Sequence, residues 1–139
     1  MTIKTTIEER VKFSEVDSMG IMWHGHFIKL FEEGRERFGL EHGLDYLGVH
    51  NLGFFTPIIS SEIQNQSPLA YGDYAVIETT YFFTKAAKLI FSYKIYSKLT
   101  GKLACTGKTI QVFLDQSRNL QITNPNFYSQ WKNENFPNE

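Results

Sequence analysis

A single cysteine, Cys105, in 139 residues leaves no internal disulfide framework and no cysteine-based zinc cluster, because both need several thiols at defined spacings. A reducing, cytoplasmic setting is the expectation. Neither sign of charge dominates: 14 Lys and Arg stand against 15 Asp and Glu, a net charge of −1, so no global basic field favours a nucleic-acid partner. No run approaches the ~20 apolar residues that span a bilayer, and the N-terminus holds no apolar stretch of signal-peptide length. Membrane insertion and export are not expected. A P-loop, a Gly-x-Gly-x-x-Gly after a strand and a Gly-x-Ser-x-Gly elbow are also missing, which removes the commonest nucleotide-binding and serine-hydrolase readings.

What is present is apolar and aromatic. Hydrophobic residues make up 42% and Phe, Trp and Tyr 15%, enough to fill one core, and the length is about that of one domain. One domain over residues 1–139 is expected, with a polar tail over 124–139 that forms a short helix and a frayed end. Thr5 to Phe13 reads as a strand. From His26 to Leu40 the period changes: Phe27, Leu30, Phe31, Gly34 and Phe38 form one helical stripe, while Lys29, Glu32, Glu33, Glu36 and Arg37 fall outside it. Glu33 with Arg37 and Glu32 with Arg35 have ion-pair spacing, and Gly39 and Gly43 are stop signals.

Beyond Leu52 strand patterns follow one another. Phe54–Asn65 is one; Tyr74–Phe83 places Ile77, Thr79, Tyr81 and Phe83 on one face; Leu89, Phe91, Tyr93 and Ile95 alternate with Lys88, Ser92 and Lys94; Leu103–Leu114 closes a meander. One aromatic-striped helix beside a run of antiparallel strands predicts an α+β domain with the sheet wrapped around the helix. A single sheet layer leaves an open edge and a partly apolar outer face, at Phe82 and Ile90, so self-association is expected.

The chemistry-bearing stretch is Asp17-Ser18-Met19-Gly20-Ile21-Met22-Trp23-His24-Gly25-His26-Phe27. It places a carboxylate, a glycine and a histidine at the entrance of the helix, where backbone N–H groups are unpaired and positively polarised. A carboxylate beside such donors is equipment for hydrolysing an activated ester with no metal or organic cofactor. The plainer reading is that Asp17 caps a turn, Gly20 supplies a positive φ and His24 is a satisfied core residue. Asp17, His24 and His26 could also ligate zinc, although no further close ligand is evident. Glu32 and Glu33 read as solvated surface rather than as helix-borne bases, and Cys105 as a buried, inert thiol. Between Lys85 and Lys108 stand six of the 14 basic side chains and no acidic one. Lys85, Lys88 and Lys94 are the candidates for holding phosphates; the alternative is that the lysines shield exposed strands from edge pairing.

The run Asp17-x-x-Gly20-x-x-x-His24-x-x-Phe27-x-x-x-Phe31-Glu32 resembles the signature of hotdog-fold acyl-CoA thioesterases of the 4-hydroxybenzoyl-CoA thioesterase family. The likeness extends through Pro57 and Pro68-x-x-Tyr71-Gly72-Asp73 to Lys108–Asp115 and covers residues 5–115. It implies a hotdog fold: a long central helix wrapped by a five-stranded antiparallel sheet, assembled as a homodimer or homotetramer. It further implies hydrolysis of an acyl-CoA to a carboxylic acid and free CoA, with coenzyme A present only as part of the substrate. In that likeness Asp17 attacks the thioester or activates water, and the N–H around His24 polarises its carbonyl. Gly20, Trp23, His26 and Phe27 border the oxyanion and substrate site. For a CoA substrate, the charge run makes Lys85, Lys88 and Lys94 the candidates for its phosphates, with strand shielding the equal alternative. The family often has asparagine where His26 stands, tyrosine where Phe27 stands and, in some members, tyrosine at Phe13, departures that bear on the substrate more than on the reaction. The rival reading is a non-catalytic acyl-CoA or acyl-carrier binding protein on the same fold.

Overall fold

In the computed structural model, which describes all residues 1–139, the apolar stripe of the long helix decides the architecture. That helix, α1 (His26–His42), buries Phe27, Leu30, Phe31, Gly34 and Phe38. It lies in the hollow of one antiparallel sheet built from β1 (Thr2–Arg10), β2 (Ile58–Asn65), β3 (Tyr74–Phe82), β4 (Lys88–Ser97) and β5 (Leu103–Val112), in the order β1-β3-β4-β5-β2. The inner face of β3 and β4 supplies Ile77, Tyr81, Leu89, Phe91, Tyr93 and Ile95 to the core. This is the α+β, helix-in-sheet arrangement that the sequence predicts, and β3 and β4 pair as the expected hairpin with Ile77 opposite Ile95.

Two glycines set how closely helix and sheet approach. A Cβ on Gly34 would lie 2.2 Å from Thr79 Oγ1, and one on Gly107 would lie 2.3 Å from the Phe31 ring. Phe31 can therefore stack on Tyr93 at a centroid separation of 4.5 Å. The helix runs past Leu40 to His42 and stops at Gly43 with φ 81°, a left-handed conformation that favours glycine. The expected Glu33–Arg37 and Glu32–Arg35 pairs do not form. Arg37 instead meets Glu41 at 4.0 Å, one turn further on, and Arg35 donates to Tyr93 Oη at 3.3 Å.

Other boundaries shift for local reasons. The first strand ends at Arg10 and Phe13–Glu15 form a 3₁₀ turn. The second strand starts at Ile58, just after Pro57, which has no N–H to give a ladder. A six-residue helix, α2 (Tyr46–Asn51), begins where Asp45 Oδ2 accepts the Gly48 N–H at 3.0 Å.

The short helix expected in the tail forms, but it is packed into the core where the sequence predicts a frayed polar end. Residues Asn126–Asn135 form a third helix, α3, and Tyr128, Trp131 and Phe136 join the core. Tyr128 Oη donates to the Lys88 carbonyl and accepts from Tyr81 Oη, both at 2.6 Å, while Trp131 Nε1 donates to the His42 carbonyl. Lys132 Nζ donates to Thr84 O at 2.9 Å, Ala86 O at 3.3 Å and Asn124 Oδ1 at 2.8 Å. The end of the chain is thus clasped to α1 and to the β3–β4 turn. No helix is long and apolar enough to cross a membrane.

This core predicts alkaline sensitivity. Burial pushes the Cys105 thiol up from 9.0 to about 11 and the Tyr81 phenol from 10.0 to about 12, and raises Tyr128 further, with the Tyr81 oxygen adding to its shift. Each group is neutral when protonated and has a higher pKa folded than unfolded. The stability it contributes is therefore complete below about pH 9 and is lost as pH climbs through the folded values. Burial raises the Tyr93 phenol as well, and the bond to Glu8 raises Lys98; Lys132, held below the usual lysine range by burial, alone runs the other way. The melting temperature should fall steeply above about pH 9; a flat profile to pH 11 would contradict this account.

Candidate active site

The loop between β1 and α1 is held open by its own backbone. Asp17 N–H donates to Ile21 O at 2.9 Å, Gly20 N–H to Asp17 O at 3.0 Å, and Tyr71 N–H to Gly20 O at 2.9 Å. Single bridges join Val16 to Met22 and Ile21 to Ala70. Gly20 sits at φ 75°, the positive value anticipated from sequence. The Asp17 carboxylate uses only half of its capacity here: Oδ1 accepts the Met19 N–H at 2.8 Å and the Ile21 N–H at 3.4 Å. Oδ2 accepts nothing from the protein and the side chain is exposed. Turn-capping and a free carboxylate oxygen therefore coexist in one residue.

At the helix entrance, His26 N–H donates to Trp23 O and Phe27 N–H to His24 O, whereas the N–H groups of His24 and Gly25 meet no protein acceptor. They stand at the positive end of a 17-residue helix. Trp23, 56% exposed, lies between the rings of His24 and His26, 5.5 Å from each. Gly25 makes room for it, since a Cβ there would meet the indole at 2.2 Å. An open groove of about 290 Å³ joins these parts: Asp17, Trp23 and His24 share its wall with Asn65, Ser67 and Pro68. His24 is exposed, so the satisfied-core reading of that residue does not hold, while Phe27 is buried and touches the groove only as part of its wall.

Glu15 is a residue that the sequence reading passed over. It is buried, takes the Lys12 N–H at 2.8 Å and Lys29 Nζ at 3.4 Å on its carboxylate, and accepts the Trp23 N–H on its carbonyl at 3.0 Å. It ties the loop to the helix and fixes the angle at which Trp23 enters. A charged residue in a turn carries no sequence signal for burial; only its Lys29 partner, 14 residues on in the first turn of α1, reveals it.

The lysines are placed elsewhere. Lys85 lies in the turn before β4, and Lys88 opens β4 opposite Val112. The Asp17 loop is at the other end of that strand, through Ala70 and Asp73, whose carboxylate accepts from Ser97. The length of β4, about 30 Å, separates them within one protomer. Lys94 sits opposite Glu78 on the face turned away from α1. Nor do these lysines guard an edge, because β4 is the middle strand and the edges are β1 and β2. His24 and His26 diverge around Trp23, and no three His, Cys, Asp or Glu side chains converge anywhere to hold an ion. Cys105 is fully buried, in keeping with an inert thiol.

YneP of Bacillus subtilis (strain 168), provisionally named an acyl-CoA thioesterase, is 28% identical over 109 residues, which cover 78% of each chain. Among solved structures, Slr0204, a 1,4-dihydroxy-2-naphthoyl-CoA thioesterase from Synechocystis, superposes with a TM-score of 0.81 at 18% identity, over 92% of this chain and 94% of its own. A mutant 4-hydroxybenzoyl-CoA thioesterase complexed with 4-hydroxybenzoyl-CoA gives 0.78 at 20% identity, over 92% and 97%. These likenesses show the hotdog fold. The model of the thioesterase-like superfamily matches residues 11–139, and the chain therefore belongs to that superfamily, as an enzyme of the thioesterase class.

Proposed function

We propose that the chain hydrolyses acyl-CoA thioesters from the Asp17 groove, releasing a carboxylic acid and free CoA. The observation that carries this reading is an uncommitted carboxylate oxygen on the same groove wall as His24, whose unpaired N–H, with that of Gly25 next to it, stands at a helix N-terminus. The thioester carbonyl oxygen accepts from His24 N–H and Gly25 N–H, where the negative charge of the tetrahedral intermediate is stabilised. Asp17 Oδ2 then acts by one of two routes. It adds to the carbonyl carbon and expels the CoA thiolate, leaving an anhydride that water opens; or it takes a proton from a water molecule that adds to the same carbon. Both end in one carboxylic acid and one thiol per water consumed. Neither route asks for a metal or organic cofactor.

The working unit is a homodimer joined at β2. Every residue of that edge strand is exposed, including Ile58, Ile59 and Ile63, and only Glu62 is charged. The other edge, β1, is guarded by Lys4, Glu8 and Arg10. An unguarded apolar edge is a template for pairing with another chain. A second copy set antiparallel about the middle of β2 brings its Ile58 end beside the Asn65 end of the first, so its β4 start, with Lys85 and Lys88, turns toward the first copy's Asp17 groove. This arrangement lets those lysines reach CoA phosphates that they cannot reach in one protomer.

Neutralising Lys85 and Lys88 to Gln should then raise KM for an acyl-CoA at least several-fold while leaving a truncated pantetheine thioester nearly unchanged, and added salt should mimic the change. Equal effects on both substrates would remove the phosphate role and leave the hydrolase reading standing.

A further inference from the structure

Resting on that hydrolase reading, we propose that a second cavity, floored by Phe38, Leu89 and Phe91, holds the acyl group, and that Gln111 there selects acyl groups bearing a hydroxyl. The cavity holds about 300 Å³ between α1 and the β4–β5 face, and Gln111 lines it. Gln111 is 6% exposed. Its Nε2 donates to Thr56 O at 2.7 Å and to Thr56 Oγ1 at 3.3 Å. A carbonyl only accepts, so that contact fixes which end of the amide is nitrogen. Oε1 is left buried with no partner.

An orphaned buried acceptor is rare because it has given up water for nothing. Arg35 and Lys29 share the wall, but their side-chain hydrogen bonds go to Tyr93 Oη and to Glu15, and neither reaches Oε1. In this reading the partner that Oε1 lacks comes from a molecule entering the cavity. An apolar floor suits an aromatic or short aliphatic body, and Oε1 asks of it one neutral donor. A second carboxylate is disfavoured, since it would meet Oε1 on a wall where Glu32, Glu33, Glu36 and Asp45 outnumber Lys29 and Arg35.

The cavity and the Asp17 groove lie at opposite ends of one protomer. Gln111 pairs with Ile58 at the start of β2, while Asn65 at its end borders the groove, about 20 Å away along the strand. Antiparallel pairing of two β2 edges reverses that separation. It sets the groove of one copy against the cavity of the other, so that the acyl group cleaved at one Asp17 is read by Gln111 of the second copy.

The test uses matched thioesters that differ only by a hydroxyl: benzoyl-CoA against 3- and 4-hydroxybenzoyl-CoA, and butyryl-CoA against its 3- and 4-hydroxy forms. The unmodified chain should favour the hydroxylated member of at least one pair by tenfold or more in kcat/KM, and Gln111→Leu and Gln111→Met should each bring that ratio to within about threefold of one. A ratio near one for every pair on the unmodified chain overturns the proposal even if both variants fail to fold, as does a preference that survives both substitutions. Should no thioester be cleaved, the hydrolase reading fails, and equilibrium binding of the same pairs still decides the role of Gln111: tenfold tighter binding of a hydroxylated member, lost in the variants, supports it, and equal binding overturns it.

Discussion

Asp17→Asn is expected to lower thiol release from acyl-CoA by a hundredfold or more while leaving acyl-CoA affinity within about threefold of the parent. The substitution is nearly isosteric, and the asparagine carbonyl can keep the two bonds that Oδ1 accepts from Met19 and Ile21, so the loop and the groove wall stay in place. What disappears is the anionic Oδ2, the atom that attacks the thioester or takes the proton from water. Loss of a positioned base removes about 10²–10⁴ in rate, and the effect should fall on kcat rather than on KM. Titration calorimetry and a thiol-trapping assay on the same protein separate the two quantities. An Asp17→Asn chain that cleaves as fast as its parent would reduce Asp17 to the turn-capping role that its Oδ1 already performs.

Lysines placed on the open edge should have an effect of comparable size through a different quantity. In the double variant Ile59→Lys, Ile63→Lys, two exposed apolar side chains of β2 become charges that meet their counterparts when two copies pair, a device by which natural edge strands avoid association. The sedimenting mass is expected to fall from twice the chain mass to the chain mass at micromolar concentration. Turnover should fall at least tenfold with it, because each groove loses the surface that the other copy supplies. Both positions face solvent in the protomer, so the melting curve of the separated chain should retain a single cooperative transition. A variant that is monomeric and fully active would show that the groove is complete in one copy.

How much of this was legible beforehand follows from how local each signal is. The stripe Phe27, Leu30, Phe31, Gly34, Phe38 and the alternation through Leu89–Ile95 are one-dimensional patterns, and both elements formed where those patterns lie. The Asp17–His24 stretch is equally local, so its proximity to the helix entrance needed only the strand–loop–helix order. The third helix was legible as a short element, but its burial was hidden by its own chemistry. Tyr128, Trp131 and Lys132 are scattered among Asn, Ser, Gln and Glu, yet each buries its body once its polar tip finds a partner on β3, on β4, at the end of α1 or in the β3–β4 turn, and those partners lie 40 to 89 residues away in sequence. The lysines were legible as a cluster and not as a location, because strand direction, rather than spacing, puts Lys88 and Asp17 at opposite ends of β4. Gln111 carried no signal at all: its importance lies in an unmet hydrogen bond, and that exists only once Thr56 has taken the other half of the amide.

The most direct measurement of the central claim mixes the unmodified chain, in excess, with a panel of acyl-CoAs and follows bound acyl-CoA, free thiol and free carboxylic acid in the same sample. For at least one member, bound acyl-CoA should decay as thiol and acid rise together in equal amounts; saturable binding of the panel with no thiol released from any member would contradict hydrolysis and leave a binding protein on the same fold.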